Sequence, residues 1–149
     1  MLVPPTRIES RVLSAIGYST NPTVLHTDTS VLPPARRAQA AWNYYLPRCD
    51  AVPAAVNVSY NMNRLQRLHT PQPYVVTLNG GARIDDTLVL ARMSYEHPVY
   101  TSDSVAARRC LPQLNDGVLA YAGAYHGWGF HEDGCRSGAE AATSLGVDW

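Results

Sequence analysis

Proline limits this chain more than any other residue. Eleven prolines are spread through 149 residues, from Pro4-Pro5 through Pro22, Pro33-Pro34, Pro47 and Pro53 to Pro71, Pro73, Pro98 and Pro112. Each fixes its own φ and withdraws a main-chain donor, so each ends or edges whatever element reaches it. Ten glycines add further breaks. The pattern calls for short elements joined by many turns. It also calls for a core: 46% hydrophobic and 16% charged residues exclude the profile of a disordered chain. A globular unit of this size buries about 70% of the surface its unfolded chain exposes.

Charge removes several classes of function. The formal net charge is zero, and all 12 basic residues are arginines, dispersed singly or as Arg36-Arg37 and Arg108-Arg109. That distribution gives no footprint for nucleic acid. Without lysine there is neither a Schiff-base nucleophile nor a P-loop phosphate ligand. Cys49, Cys110 and Cys135 are odd in number and far apart, so neither a disulfide framework nor a zinc knuckle is indicated. A reducing cytoplasm fits that usage. The opening MLVPPTRIES places prolines where a leader peptide needs an apolar run, and no stretch has the length of a membrane span.

Along the chain, Thr6 and Glu9 have capping-box spacing ahead of Ile8, Val12, Leu13 and Ile16, and Gly17 follows. A first helix is expected there. The β-branched run TVLHT predicts a strand over 23–27, and WNYYL (42–46), AVNVSYN (55–61) and YVVTLN (74–79) predict three more, paired into an antiparallel sheet. After the Asn79-Gly80-Gly81 turn, LVLARMSYEHPVY reads as a short turn or helix passing into a strand that Pro98 ends. A short helix capped by Ser102 or Asp103 should run toward Pro112. The last forty residues read as a strand-loop-helix unit: Asn115-Asp116-Gly117, the apolar strand VLAYAG, a glycine-rich loop, then a helix from about Glu132 to Leu145. The expected class is α+β, with an antiparallel sheet region over 1–112 and the strand-loop-helix over 113–149.

Chemistry concentrates in YAGAYHGWGFHEDGCRSGAEAA, residues 121–142. Small residues at Gly138, Ala139, Ala141 and Ala142 let a helix lie close to its support, and glycines let a cofactor approach backbone. A helix N-terminus aimed at a flavin would stabilise the charge that develops at the ring's N1 and C2 carbonyl edge on reduction. The alternative reading is a tight structural turn, since such glycine-rich turns occur in many folds.

The same segment resembles the C-terminal FAD-binding signature of flavin amine oxidases and related desaturases, through Ala122-Gly123, Gly129, Glu132, Ser137-Gly138 and Ala141-Ala142. WNYY, VSYNMNRLQ, VTLN and YEHPVYT follow the order found in a bacterial amine oxidase-like branch of that superfamily. The resemblance implies that the middle of the chain is a substrate-domain sheet and that the final strand and helix belong to an incomplete FAD-binding Rossmann-like domain. It implies FAD as cofactor, held by Gly123, Ala124, Gly129, Phe130, His131 and Glu132. It implies oxidation of a small apolar or amine substrate by hydride transfer to flavin, with no nameable catalytic acid or base.

Three departures from the family matter. Ala124 stands where many amine oxidases have a glutamate near the ribose, and Asp133-Gly134 replace small residues. No GxGxxG follows any strand, so the pyrophosphate cradle is missing. The expectation is therefore a C-terminal fragment or subunit, inactive alone: either a truncated gene product or a subunit completed by a separate chain bearing the dinucleotide-binding segment. The competing expectation is a non-catalytic α+β interaction module that has lost FAD.

Other clusters have simpler readings. His126, His131, Glu132, Asp133 and Cys135 match no ligand spacing, and no metal is expected. His126 and His131 serve as proton-transfer groups or as roleless loop histidines. Trp128 and Phe130 either wall a cavity or staple the loop to the sheet. Tyr44, Tyr45 and Tyr60 read as sheet packing rather than a substrate cage. His97-Pro98 reads as strand-end geometry, and the sequon Asn57-Val58-Ser59 is set aside in a cytoplasmic protein.

Overall fold

A computed structural model describes residues 4–50 and 55–147. The chain is α+β, and among the described residues five strands, β1 (Tyr18–His26), β2 (Trp42–Tyr44), β3 (Val58–Asn61), β4 (Val75–Leu78) and β5 (Val89–Pro98), form one sheet in the order β2-β3-β4-β1-β5. It divides into two compact units, Met1–Ser19 with His97–Trp149, and Thr20–Glu96. The boundary drawn from sequence between residues 112 and 113 falls inside the first of these. Residues 1–3 of the segment read as unlike a leader lie outside the described residues.

The first unit opens with α1 (Arg7–Ser14), whose start is the expected capping box. Thr6 Oγ1 accepts from Glu9 N at 3.3 Å and Glu9 Oε2 accepts from Thr6 N at 2.6 Å. Val12 is buried from α1 against Leu111 and Leu114, with Leu13, Ile16, Tyr121 and Tyr125 packed around them. Leu111 and Leu114 lie on a 3-10 turn (Leu111–Leu114) that Pro112 helps to form. The helix α3 (Ser102–Arg108) starts one residue earlier than Ser102 or Asp103 as caps would allow. Its cap is Thr101, whose hydroxyl accepts from Ser104 N at 3.1 Å while Ser104 Oγ accepts from Thr101 N at 2.8 Å. The C-terminal helix α4 runs over His131–Ser144, within one residue of its expected limits.

The sheet is built mostly from the second unit, and only the first two residues of β1 and the last two of β5 fall outside it. Antiparallel pairing joins Thr23–His26 to Val75–Leu78, Val58–Asn61 to Val75–Leu78, and Trp42–Tyr44 to Val58–Tyr60. The ladder between β1 and β4 begins at Thr23, directly after Pro22, which has no N–H to contribute. Val24, Val31, Leu32, Val75 and Ile84 form the core, with Val89 against it. A one-turn helix, α2 (Met62–Leu65), follows β3, with Asn61 Oδ1 accepting from Arg64 N at 3.2 Å. Sequence periodicity gave no sign of it.

One expected element is absent: VLAYAG is not a strand. Its donors are taken locally. Asp116 Oδ1 accepts from Val118 N at 2.9 Å and from Leu119 N at 2.7 Å, and Asn115 Oδ1 accepts from Tyr121 N at 3.2 Å. The Asn-Asp pair that was read as introducing a strand thus satisfies the amides a strand would have used. Residues 115–147 are therefore loop, 3-10 turn and helix.

Candidate functional site

The glycine-rich segment wraps the first turn of α4. Phe130 is the residue before the helix and has no side chain able to cap it, so the capping falls to Asp133. One Asp133 oxygen, Oδ2, accepts from Trp128 N at 2.9 Å and from Phe130 N at 3.2 Å. The other, Oδ1, accepts from Arg136 Nη2 at 2.8 Å. These contacts hold the Asp133 carboxyl below its ordinary pKa, first through the Trp128 amide, then against partial burial through the Phe130 amide and the Arg136 guanidinium. Asp133 is buried, and its charge is matched by Arg136.

Gly127 exists because of this carboxylate. A Cβ there would lie 2.0 Å from Asp133 Oδ1 and 2.1 Å from its Cγ. Gly129 answers a second constraint: its φ is +89°, and a Cβ would meet Tyr100 Oη at 2.9 Å. Arg108 of α3 ties the loop from the other side. Its guanidinium donates to the Gly127 carbonyl at 2.6 Å and lies 4.3 Å from the Trp128 ring centroid. Tyr100 completes the stack at 6.1 Å from Trp128.

The six residues nominated as cofactor contacts divide into two groups. Gly123 and Ala124 support α4. Gly123 N donates to Ser137 Oγ at 2.9 Å, Ser137 Oγ donates to the Gly123 carbonyl at 3.1 Å, and the Ala124 carbonyl accepts from Gly127 N and Gly129 N. Gly134 lets this turn approach the helix, its Cβ position lying 3.7 Å from Ala124 N. Gly129, Phe130, His131 and Glu132 are exposed and form the open end of α4. The main-chain N–H groups of His131 and Glu132 are first-turn donors without an intrahelical acceptor.

Trp128 packs with Arg108 and Tyr100, and Phe130 is exposed. His131 is exposed, whereas His126 is half-buried and burial depresses its pKa, with Glu140 partly opposing. His126 Nε2 is buried without a hydrogen-bond partner beside a cavity of about 100 Å³ that Tyr121, Ser137 and Glu140 also line. Among the described residues no group of three or more His, Cys, Asp or Glu is placed to hold a metal ion. No described helix is long and apolar enough to cross a membrane.

In the second unit Tyr60 packs edge-on against Trp42 at 5.4 Å, as expected for a sheet pair. Tyr44 is exposed, and Tyr45 carries the Arg83 guanidinium 3.5 Å from its ring centroid. Two features escaped the sequence reading. One is an apolar groove of about 440 Å³ lined by Leu25, Tyr74, Val76, Met62, Met93 and Tyr95. Part of the signal for it was the alternation of Leu25 and Val76 with buried residues along β1 and β4.

The other is a polar row on the buried side of the sheet. Asn43 Nδ2 donates to the Ser59 carbonyl at 3.2 Å, Ser59 Oγ bonds Thr77 Oγ1 at 2.8 Å, and Thr77 Oγ1 bonds His26 Nε2 at 2.8 Å. The comparisons leave the family open: no protein-family model and no curated protein matches this chain.

Proposed function

We propose that this chain is the substrate-sheet and flavin-contacting part of an FAD-dependent oxidoreductase of the amine oxidase type, acting with a dinucleotide-binding segment supplied by another chain. The observation that carries the reading is the exposed N-terminal turn of α4, led in by Gly129 and Phe130, with the donors of His131 and Glu132 available. The donor set fits the pyrimidine edge of an isoalloxazine ring. It does not fit a pyrophosphate, for which the sequence has no GxGxxG.

On this reading Gly129, Phe130, His131 and Glu132 would hold the ring edge, and Gly123 and Ala124 would seat the helix that presents them. FAD, when bound, supplies the hydride acceptor. The chain's own contribution is orientation and dipole. Asp133 does not oppose it, because Arg136 balances the carboxylate and the Trp128 and Phe130 amides enclose it. The apolar groove of the second unit supports a small apolar or amine substrate.

Purified chain is mixed with FAD, alone and together with a chain carrying the GxGxxG half of a flavin amine oxidase, then desalted and scanned for flavin absorbance. Retained colour in the mixture, reduced by Phe130→Ala, is the expected result; colourless protein in both samples sinks the proposal. One observation favours the second reading, a non-catalytic interaction module: Asp133 already fills the loop's amide nest, so the loop is complete without a ligand.

A further inference from the structure

A second cavity, independent of the flavin reading, lies in the sheet unit and has a volume of about 260 Å³. Its floor is apolar, made by Leu32 and Val75, both buried in the core. Pro71 and Pro73 stiffen one wall. The remaining lining is polar and one-signed: Arg36, Asn61, Thr29 and Thr70 contribute, and no carboxylate lines it.

Several lining groups are already engaged: Asn63 donates one amide N–H to the Gln72 carbonyl at 2.8 Å and accepts from Tyr74 N at 2.7 Å. Gln39 spends its amide on the Pro33 carbonyl at 3.0 Å. Asn61 uses only its oxygen, on Arg64 N, which leaves the Asn61 amide donors. The Thr70 oxygen accepts from Gln72 N at 3.3 Å, and its proton remains to donate. Arg64 donates to the carbonyl of Gln39, which lines the cavity.

Asp28, next to Thr29 in sequence, has its oxygens occupied by Ser30 N at 2.8 Å and Asp85 N at 3.0 Å. The cavity is thus an apolar-floored recess that offers donors and positive charge. We propose that it binds a small organic monocarboxylate, whose carboxylate meets Arg36, Asn61 and Thr70 and whose short hydrocarbon part rests on Leu32 and Val75. Its volume lies just below the range of about 300–1,000 Å³ typical of drug-sized ligands, which sets the size of the guest. The single lining guanidinium suits a monoanion; a phosphate site calls for a denser array of cations or amides.

Butyrate titrated into the ¹⁵N-labelled full chain tests this, with butyramide, butylamine and inorganic phosphate as comparison probes. Butyrate should give saturable shifts at Thr29, Asn61 and Thr70, stronger at low ionic strength. Arg36→Gln should weaken it by about tenfold, the usual scale for losing a charge-assisted hydrogen bond. Arg37→Gln, an exposed neighbour outside the cavity, should leave it unchanged. The proposal is overturned if no probe saturates, if butyramide or phosphate matches butyrate, or if Arg36→Gln binds as the parent does.

Discussion

At the scale of single residues, two glycines of the C-terminal segment carry opposite predictions. At Gly127 space excludes a side chain, because a Cβ would sit inside Asp133. Gly127→Ala should therefore destabilise the chain by about 1–3 kcal/mol, the scale of an overpacked site, by pushing the Asp133 carboxylate off the Trp128 and Phe130 amides. Gly138 lies in mid-helix with nothing within 4 Å of its Cβ position. Gly138→Ala should stabilise by about 0.4–1 kcal/mol, through helix propensity and unfolded-state entropy. Urea melts of the two variants check both signs, and a Gly127→Ala melt equal to the parent's would remove the steric argument. The sequence showed the glycines but not their separate reasons, because the partner atoms come from side chains several residues away.

Among the elements, legibility follows whether the backbone donors are served locally or by a partner. The capping box of α1 was readable because Thr6 and Glu9 are three residues apart and answer each other. Strands β2, β3 and β4 were readable from alternation, with ends trimmed by one to three residues. The strand expected at VLAYAG failed because Asn115 and Asp116 competed for its amides, a contest that hydrophobic pattern does not register.

The polar row across β3, β4 and β1 was also invisible to a hydrophobic reading, yet it gives the sheet a pH dependence. His26 is fully buried, and burial depresses its pKa, while the Asp28 carboxylate and main chain partly favour the charged ring. Nδ1 makes no hydrogen bond of normal geometry, so the Asp28 main chain compensates only weakly. The unfolded chain takes its proton near the ordinary histidine pKa of about 6.5, and the folded chain takes it only at lower pH. Stability from neutral His26 is complete above that value and is lost as pH falls from there toward the folded pKa. The stability difference between parent and His26→Gln should shrink between about pH 7.5 and pH 5. A difference that stays constant over that window would show that His26 does not titrate with unfolding.

For the molecule as a whole, the decisive fact is that its two cores draw on the chain differently. The sheet core of Val24, Val31, Leu32, Val75 and Ile84 comes from one continuous stretch, and local patterning anticipated the strands that carry Val24 and Val75. The other core joins Val12 to Leu111 and Leu114, and Tyr121 Oη donates to Glu9 Oε1 at 2.8 Å across a sequence separation of 112 residues. No motif within either segment announces that closure, which is why the sequence reading grouped α1 with the sheet.

Separate cores predict separate responses to cavities. Leu111 is fully buried, and Leu111→Ala should cost about 2–5 kcal/mol in its own cluster; Ile84→Ala should cost a similar amount in the sheet. Native-state hydrogen exchange resolves the two by location. The Leu111 variant should lose protection first in α1 and the 111–114 turn, and the Ile84 variant first along the β1 and β4 ladder. Uniform loss along the chain in both variants would mean that the two clusters unfold as one cooperative core.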